Sequence, residues 1–257
     1  MNTKKKTFIT ALVLTVACGI YTFISHGFNY SYDGKSILWK YMTLWDNGTE
    51  GIFFVVVITL CMIGTVLERY KEHYYHFDKN CLIRVGMKKY ILSNVKNIII
   101  ESIVFMAILH IILLLFDSFY FNDSFFDIDT QYCYFTNNQI MNIIIFITLS
   151  CIGMAILNVF FYSLSIYVSN LYLYIVLPII FLFMTLILGD TLVQIFSQLF
   201  DFFLIRILFL SIIPATLVQP GSLVTSAIAS YLISIMLYSI IAFINFVYTF
   251  KSREISE

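Results

Sequence analysis

Apolar residues in this chain come in long unbroken runs, not in the period-two alternation of a half-buried strand. Crossing a hydrocarbon core of roughly 30 Å takes about 20 mostly apolar residues as a helix. Six stretches supply them, at about 7–25, 51–67, 98–116, 139–163, 171–188 and 222–250. The expected fold is all-α: a polytopic membrane protein with six transmembrane helices, forming a single transmembrane domain over 1–257. Between the fifth and sixth spans, residues 189–221 are apolar yet broken by Asp190, Asp201, Arg206, Pro214 and Pro220, with Gly221 closing the segment. Two prolines disrupt a regular spanning helix, and non-helical backbone at membrane depth must be buried in protein or line a cavity. A re-entrant or interfacial pair of short helices is therefore expected there.

Composition agrees with the pattern. Hydrophobic residues make up 60% and charged residues 12% of the chain, a balance that a soluble domain would not keep in solution. Formal net charge is zero, which offers nothing to attract nucleic acid. The placement of the charges is more telling. With six spans and both ends in the cytoplasm, Lys4, Lys5, Lys6, Arg69, Lys71, Lys79, Arg84, Lys88, Lys89, Lys96, Lys251 and Arg253 fall inside, twelve of fifteen basic residues. Lys35, Lys40 and Arg206 fall outside, together with nine of the fifteen acidic residues. This asymmetry is the positive-inside pattern of a multi-pass cell-membrane protein. Lys4 to Lys6 followed by an apolar run ending near Cys18 also look like a secretory or lipoprotein signal. Thr15 stands where a lipoprotein site wants a leucine-like residue, and no small-x-small site closes the run, so this segment reads as an uncleaved first span.

Chemistry-bearing motifs are sparse. The five cysteines form no CxxC knuckle, and no cofactor or metal site is expected. Glu72, His73 and His76 spell EHYYH, which has neither the HExxH nor the HxxEH order of a zinc protease. Within the spans, the polar candidates are Glu101, His110 and Asn158, with Asn142 beside them and Gln194 in the broken segment that follows the fifth span. An ionisable group in hydrocarbon is costly enough to be a functional candidate. Glu101 lies three residues into its span, where it can snorkel to the interface, and nine residues at about 100° each turn His110 to the opposite face.

The most informative segment is the cytoplasmic loop 68–97. Ile83, Met87, Ile91 and Val95 recur every four residues and form an apolar stripe, while Arg84, Lys88, Lys89 and Lys96 lie off it. The expectation is an amphipathic helix on the membrane surface, attracted to anionic lipid or serving as a platform for a cytoplasmic partner.

Glu68-Arg69 at the end of the second span, followed by Arg84-Val85-Gly86-Met87-Lys88-Lys89-Tyr90-Ile91-Leu92-Ser93 and finishing at Lys96, resembles the corresponding loop of type-2 ABC exporter permeases. The broken outer segment and the six spans are similar to that family as well. A departure lies before the first span, where members carry an amphipathic elbow helix and this sequence has six residues; the chain resembles a divergent member. The resemblance implies a non-catalytic membrane subunit that moves a hydrophobic or amphipathic substrate, peptide or lipid-like. A separate cytoplasmic ATPase subunit would dock on Glu68, Arg69, Arg84, Gly86, Lys88, Lys89 and Lys96, and a second copy or a related permease would complete a dimer. Two other readings stand beside it: a non-catalytic accessory or immunity protein, and an intramembrane peptide-processing cysteine protease that would use Cys81 and His76.

Overall fold

The computed structural model describes residues 3–29, 36–45, 51–74, 86–121, 125, 136, 138–165, 167–196 and 224–254. These are almost entirely helical, with no strand among them. The helices are α1 (Thr3–Asn29), α2 (Ile37–Leu44), α3 (Gly51–Thr65), α4 (Leu67–Tyr74), α5 (Met87–Tyr120), α6 (Gln139–Leu164), α7 (Leu171–Phe196) and α8 (Val224–Glu254). Four segments are long and apolar enough to cross a membrane: Thr3–Ser25, Met87–Tyr120, Gln139–Leu164 and Tyr231–Thr249. Shorter apolar stretches, Phe53–Thr65 and Leu171–Met184, lie within α3 and α7.

Lengths follow from composition. The 34 residues of α5 reach about 51 Å at 1.5 Å per residue, against a hydrocarbon core of about 30 Å. Its first turns, which carry Lys88, Lys89 and Lys96, therefore project beyond the apolar part. The amphipathic segment expected to lie flat on the membrane is instead the leading end of the third apolar helix. Gly86 starts it with φ +80°, a backbone conformation that a Cβ resists, and its carbonyl accepts from Tyr90 N–H at 3.1 Å. Between α3 and α4 the hydrogen-bond ladder continues across Val66, whose N–H donates to the Met62 carbonyl at 2.8 Å and whose carbonyl accepts from Tyr70 at 3.0 Å. The second apolar helix thus passes through a turn at Val66 into a polar extension. Asn138 caps α6, its side-chain oxygen accepting from Ile140 and Met141 N–H groups. Asn170 does the same for α7 at Tyr172 and Leu173.

Helix α3 sits at the centre, packed against α1, α5, α6 and α7; α5 packs on α6, and α6 in turn on α8. Helices α1 and α5 approach closely at Gly19, where an added Cβ would come within 2.7 Å of a Leu113 methyl group and displace it. The core is aromatic: Trp45, Phe53, Phe105, Phe146, Phe161 and Tyr174 are fully buried. Outward faces are apolar too, with Val13 and Tyr21 on α1, Ile111 and Leu115 on α5, and Met236, Phe243 and Ile244 on α8 all exposed. A bundle apolar on both sides is what a lipid solvent produces.

Two departures from the sequence pattern stand out. Helix α2 occupies what reads as a polar outer loop, because Ile37, Leu38, Tyr41, Leu44 and Trp45 fall on one helical face and all five are buried. Helix α7 runs on through Gly189 and Asp190 to Phe196, past the expected end at 188. The remainder of the expected re-entrant segment, 197–221, lies outside the described residues.

Candidate functional site

Three polar centres lie along α5, one toward each end and one between them. The first is at the basic end. Arg69, on α4, sends its guanidinium back into the bundle, where Nη1 donates to Glu101 Oε2 at 2.8 Å and Nη2 to Oε1 at 2.7 Å. Nη1 also donates to the Thr65 carbonyl. The Arg69 side chain is 4% exposed and that of Glu101 38%, so the cation is the more deeply buried partner. A planar fork meeting a carboxylate through two parallel bonds fixes both side chains, and it ties the end of the second apolar helix to the start of the third. Around it, Lys71 pairs with Glu68 at 2.8 Å, Thr7 on α1 donates to the same Glu68 oxygen, and Lys4 pairs with Glu72. Helices α1, α4 and α5 are thereby stapled to one another by charge.

This geometry divides the residues singled out in the sequence. Lys88, Lys89 and Lys96 are exposed on the projecting turns of α5, and Gly86 is exposed at its start. Arg69 and Glu68 do not share that surface, since their charged groups are taken up inside the bundle by Glu101, Lys71 and Thr7. Glu101, expected to reach for the interface, is 38% exposed and has Arg69 as its partner. Arg84, His76 and Cys81 lie outside the described residues.

The second centre lies deeper along α5. Asn158 on α6, fully buried, donates from Nδ2 to Ser102 Oγ at 2.9 Å and to Cys61 Sγ at 3.3 Å. One amide thus joins α3, α5 and α6. Desolvation by burial pushes polar groups in such a place toward whatever partner is at hand. Asn94 on α5 is likewise buried and donates to the Tyr162 hydroxyl at 3.1 Å.

The third centre caps the opposite end. His110 is completely buried, its Nδ1 2.6 Å from the Tyr41 hydroxyl of α2. Trp45 lies against the same imidazole at a tilt of 38° with ring centroids 4.4 Å apart, and Phe146 meets it edge-on at 5.8 Å. Lys40, also buried, sits 3.8 Å above the Phe121 ring, which compensates part of the lost hydration of its ammonium. His110 and Glu101 engage separate partners, as their nine-residue separation along a helix requires.

Asn94, Ser102, His110 and Asp117 are all buried on α5, at intervals of seven or eight residues. At about 100° per residue an interval of eight turns the helix by about 80° and one of seven by about −20°, so the four spread over nearly half of the circumference and mark a broad inward face, not a narrow stripe. Tyr41 and Trp45 were hidden by the polar residues around them, although their own spacing on α2 carries the signal. The stacked pair Tyr70 and Tyr174, 3.9 Å apart and 9° from parallel, joins α4 to α7 and has no signature in the sequence. Among the described residues, no group of three His, Cys, Asp or Glu side chains could hold a metal ion. Comparison of the chain with protein-family models, with curated proteins and with solved structures finds no match to any of them.

Proposed function

We propose that this chain is the membrane-spanning permease subunit of an ABC exporter, with six spans, both termini in the cytoplasm and a separate ATPase subunit bound at its basic end. The observation that carries the reading is the Arg69–Glu101 clamp beneath the projecting turns of α5. A loop that transmits force from a partner needs two legs that move together. Here α4 is one leg and α5 the other, and the bidentate ion pair locks them where they leave the apolar bundle. Above the clamp, Lys88, Lys89 and Lys96 offer exposed cations for contact, and Gly86 supplies the turn that starts the second leg.

In this mechanism ATPase closure pushes on the loop 68–97, the clamp passes the displacement to the second and third spans, and a cavity between two copies, or between this chain and a related permease, changes the side to which it opens. The cargo is hydrophobic or amphipathic, a peptide or a lipid-like molecule, in keeping with an aromatic-rich interior. The test is isolation of the tagged chain in mild detergent from its native membrane, with identification and ATPase assay of whatever accompanies it. Recovery of a nucleotide-hydrolysing subunit that is lost from the Lys88→Ala, Lys89→Ala variant supports the reading. A chain that purifies alone without ATPase activity overturns it and favours a membrane accessory or immunity protein.

A further inference from the structure

A groove of about 350 Å³ opens between α1 and α5 at the basic end, walled by Phe8, Ile9, Ile100 and Val104 and rimmed by Lys4, Lys5 and Glu101. Its back is rigid, because Phe8 packs edge-on against Phe105 with ring centroids 5.6 Å apart. Ile9, Ile100 and Val104 are exposed there, so the walls face whatever surrounds the bundle.

The rim charges do not cancel. Glu101 is neutralised by Arg69, Lys4 is paired with Glu72, and Lys71 with Glu68. Lys5, exposed, has no ion-pair partner among the described residues. Its ammonium lies just ahead of the apolar run of α1, at the depth where headgroups meet hydrocarbon, while the walls continue into the apolar zone. An occupant must therefore place one anion at the rim and an apolar chain along the walls. A free phosphate would leave the walls without a partner. A helix from a second copy would bury the Lys5 charge uncompensated.

We propose that this groove binds an anionic phospholipid, with one acyl chain against Phe8, Ile9, Ile100 and Val104 and the phosphate on Lys5. The site adjoins the Arg69–Glu101 clamp but does not depend on the transport reading, since any occupant is judged by the groove alone.

The experiment is native mass spectrometry of the full-length chain in detergent at low salt, titrated with phosphatidylglycerol, with phosphatidylcholine of the same acyl chains, and with glycerol 3-phosphate. Phosphatidylglycerol is expected to be retained about fivefold more tightly than phosphatidylcholine, whose choline cation offsets its phosphate; this is the effect of one lysine beside a lipid of net negative charge. Lys5→Gln removes that preference, and Lys6→Gln, off the groove, keeps it. Val104→Trp, or Ile9→Trp on the opposite wall should the first fail to give a monodisperse helical protein, lowers retention of both lipids. Equal retention of the two lipids by the wild type overturns the proposal. So does equal loss of preference in Lys5→Gln and Lys6→Gln, which would mean diffuse attraction to the basic end, or retention of glycerol 3-phosphate as strong as that of the lipid.

Discussion

The two ends of α5 handle buried polar groups in opposite ways. At the basic end a fixed cation and a carboxylate satisfy each other through two short bonds, and exposed lysines project beyond them. At the other end a phenol bonds one imidazole nitrogen, Nδ1, while Nε2 has no hydrogen-bond partner among the described residues, and aromatic rings pack around the imidazole. One end exposes cations, and the other buries its polar groups among aromatic rings. The lesson is that a helix buried in a membrane bundle carries a polar residue either by pairing charge near the interface or by walling it in with aromatic surface deeper down.

That contrast can be broken from either side. The largest effect is expected for Trp45→Ala, which opens a cavity beside His110 and Phe53 and should cost about 3–5 kcal/mol, read as a lowered midpoint of thermal unfolding in detergent. Glu101→Ala comes next, because it strands the buried guanidinium of Arg69; a loss of about 3 kcal/mol is expected. The double variant Arg69→Met, Glu101→Leu should recover much of that loss, and a double variant as unstable as the single one would show that the pair is not what holds the two helices together. Tyr41→Phe removes only the partner of His110 Nδ1 and should cost about 1–3 kcal/mol, with the helix content unchanged by circular dichroism. At the small end, the Lys88→Ala, Lys89→Ala variant should shift unfolding by no more than about 0.5 kcal/mol, since both side chains are exposed; on the proposed function it should also lose the ATPase subunit. A large loss of stability from this last variant would erase the distinction between the two ends.

Much of this was legible in the chain before any coordinate. Runs of about 20 apolar residues determine helices in a lipid solvent, because no other backbone arrangement satisfies its own hydrogen bonds there. The long apolar helices α1, α5, α6 and α8, the all-α class and the basic character of one end follow from that rule and from counting charges. So does the candidacy of Glu101, His110 and Asn158, since each is expensive in hydrocarbon unless paired. Their partners were not legible. Arg69 is separated from Glu101 by 32 residues, Cys61 from Asn158 by 97 and Tyr41 from His110 by 69, and nothing local couples such positions. Only packing of α2, α3 and α4 against α5 and α6 decides which donor meets which acceptor. The same packing turned an apparent surface cation, Arg69, into an internal clamp, and an apparent loop, Ile37–Leu44, into a buried cap, because burial of a polar group or an aromatic face is settled by what lies across the interface and not by its neighbours in the chain.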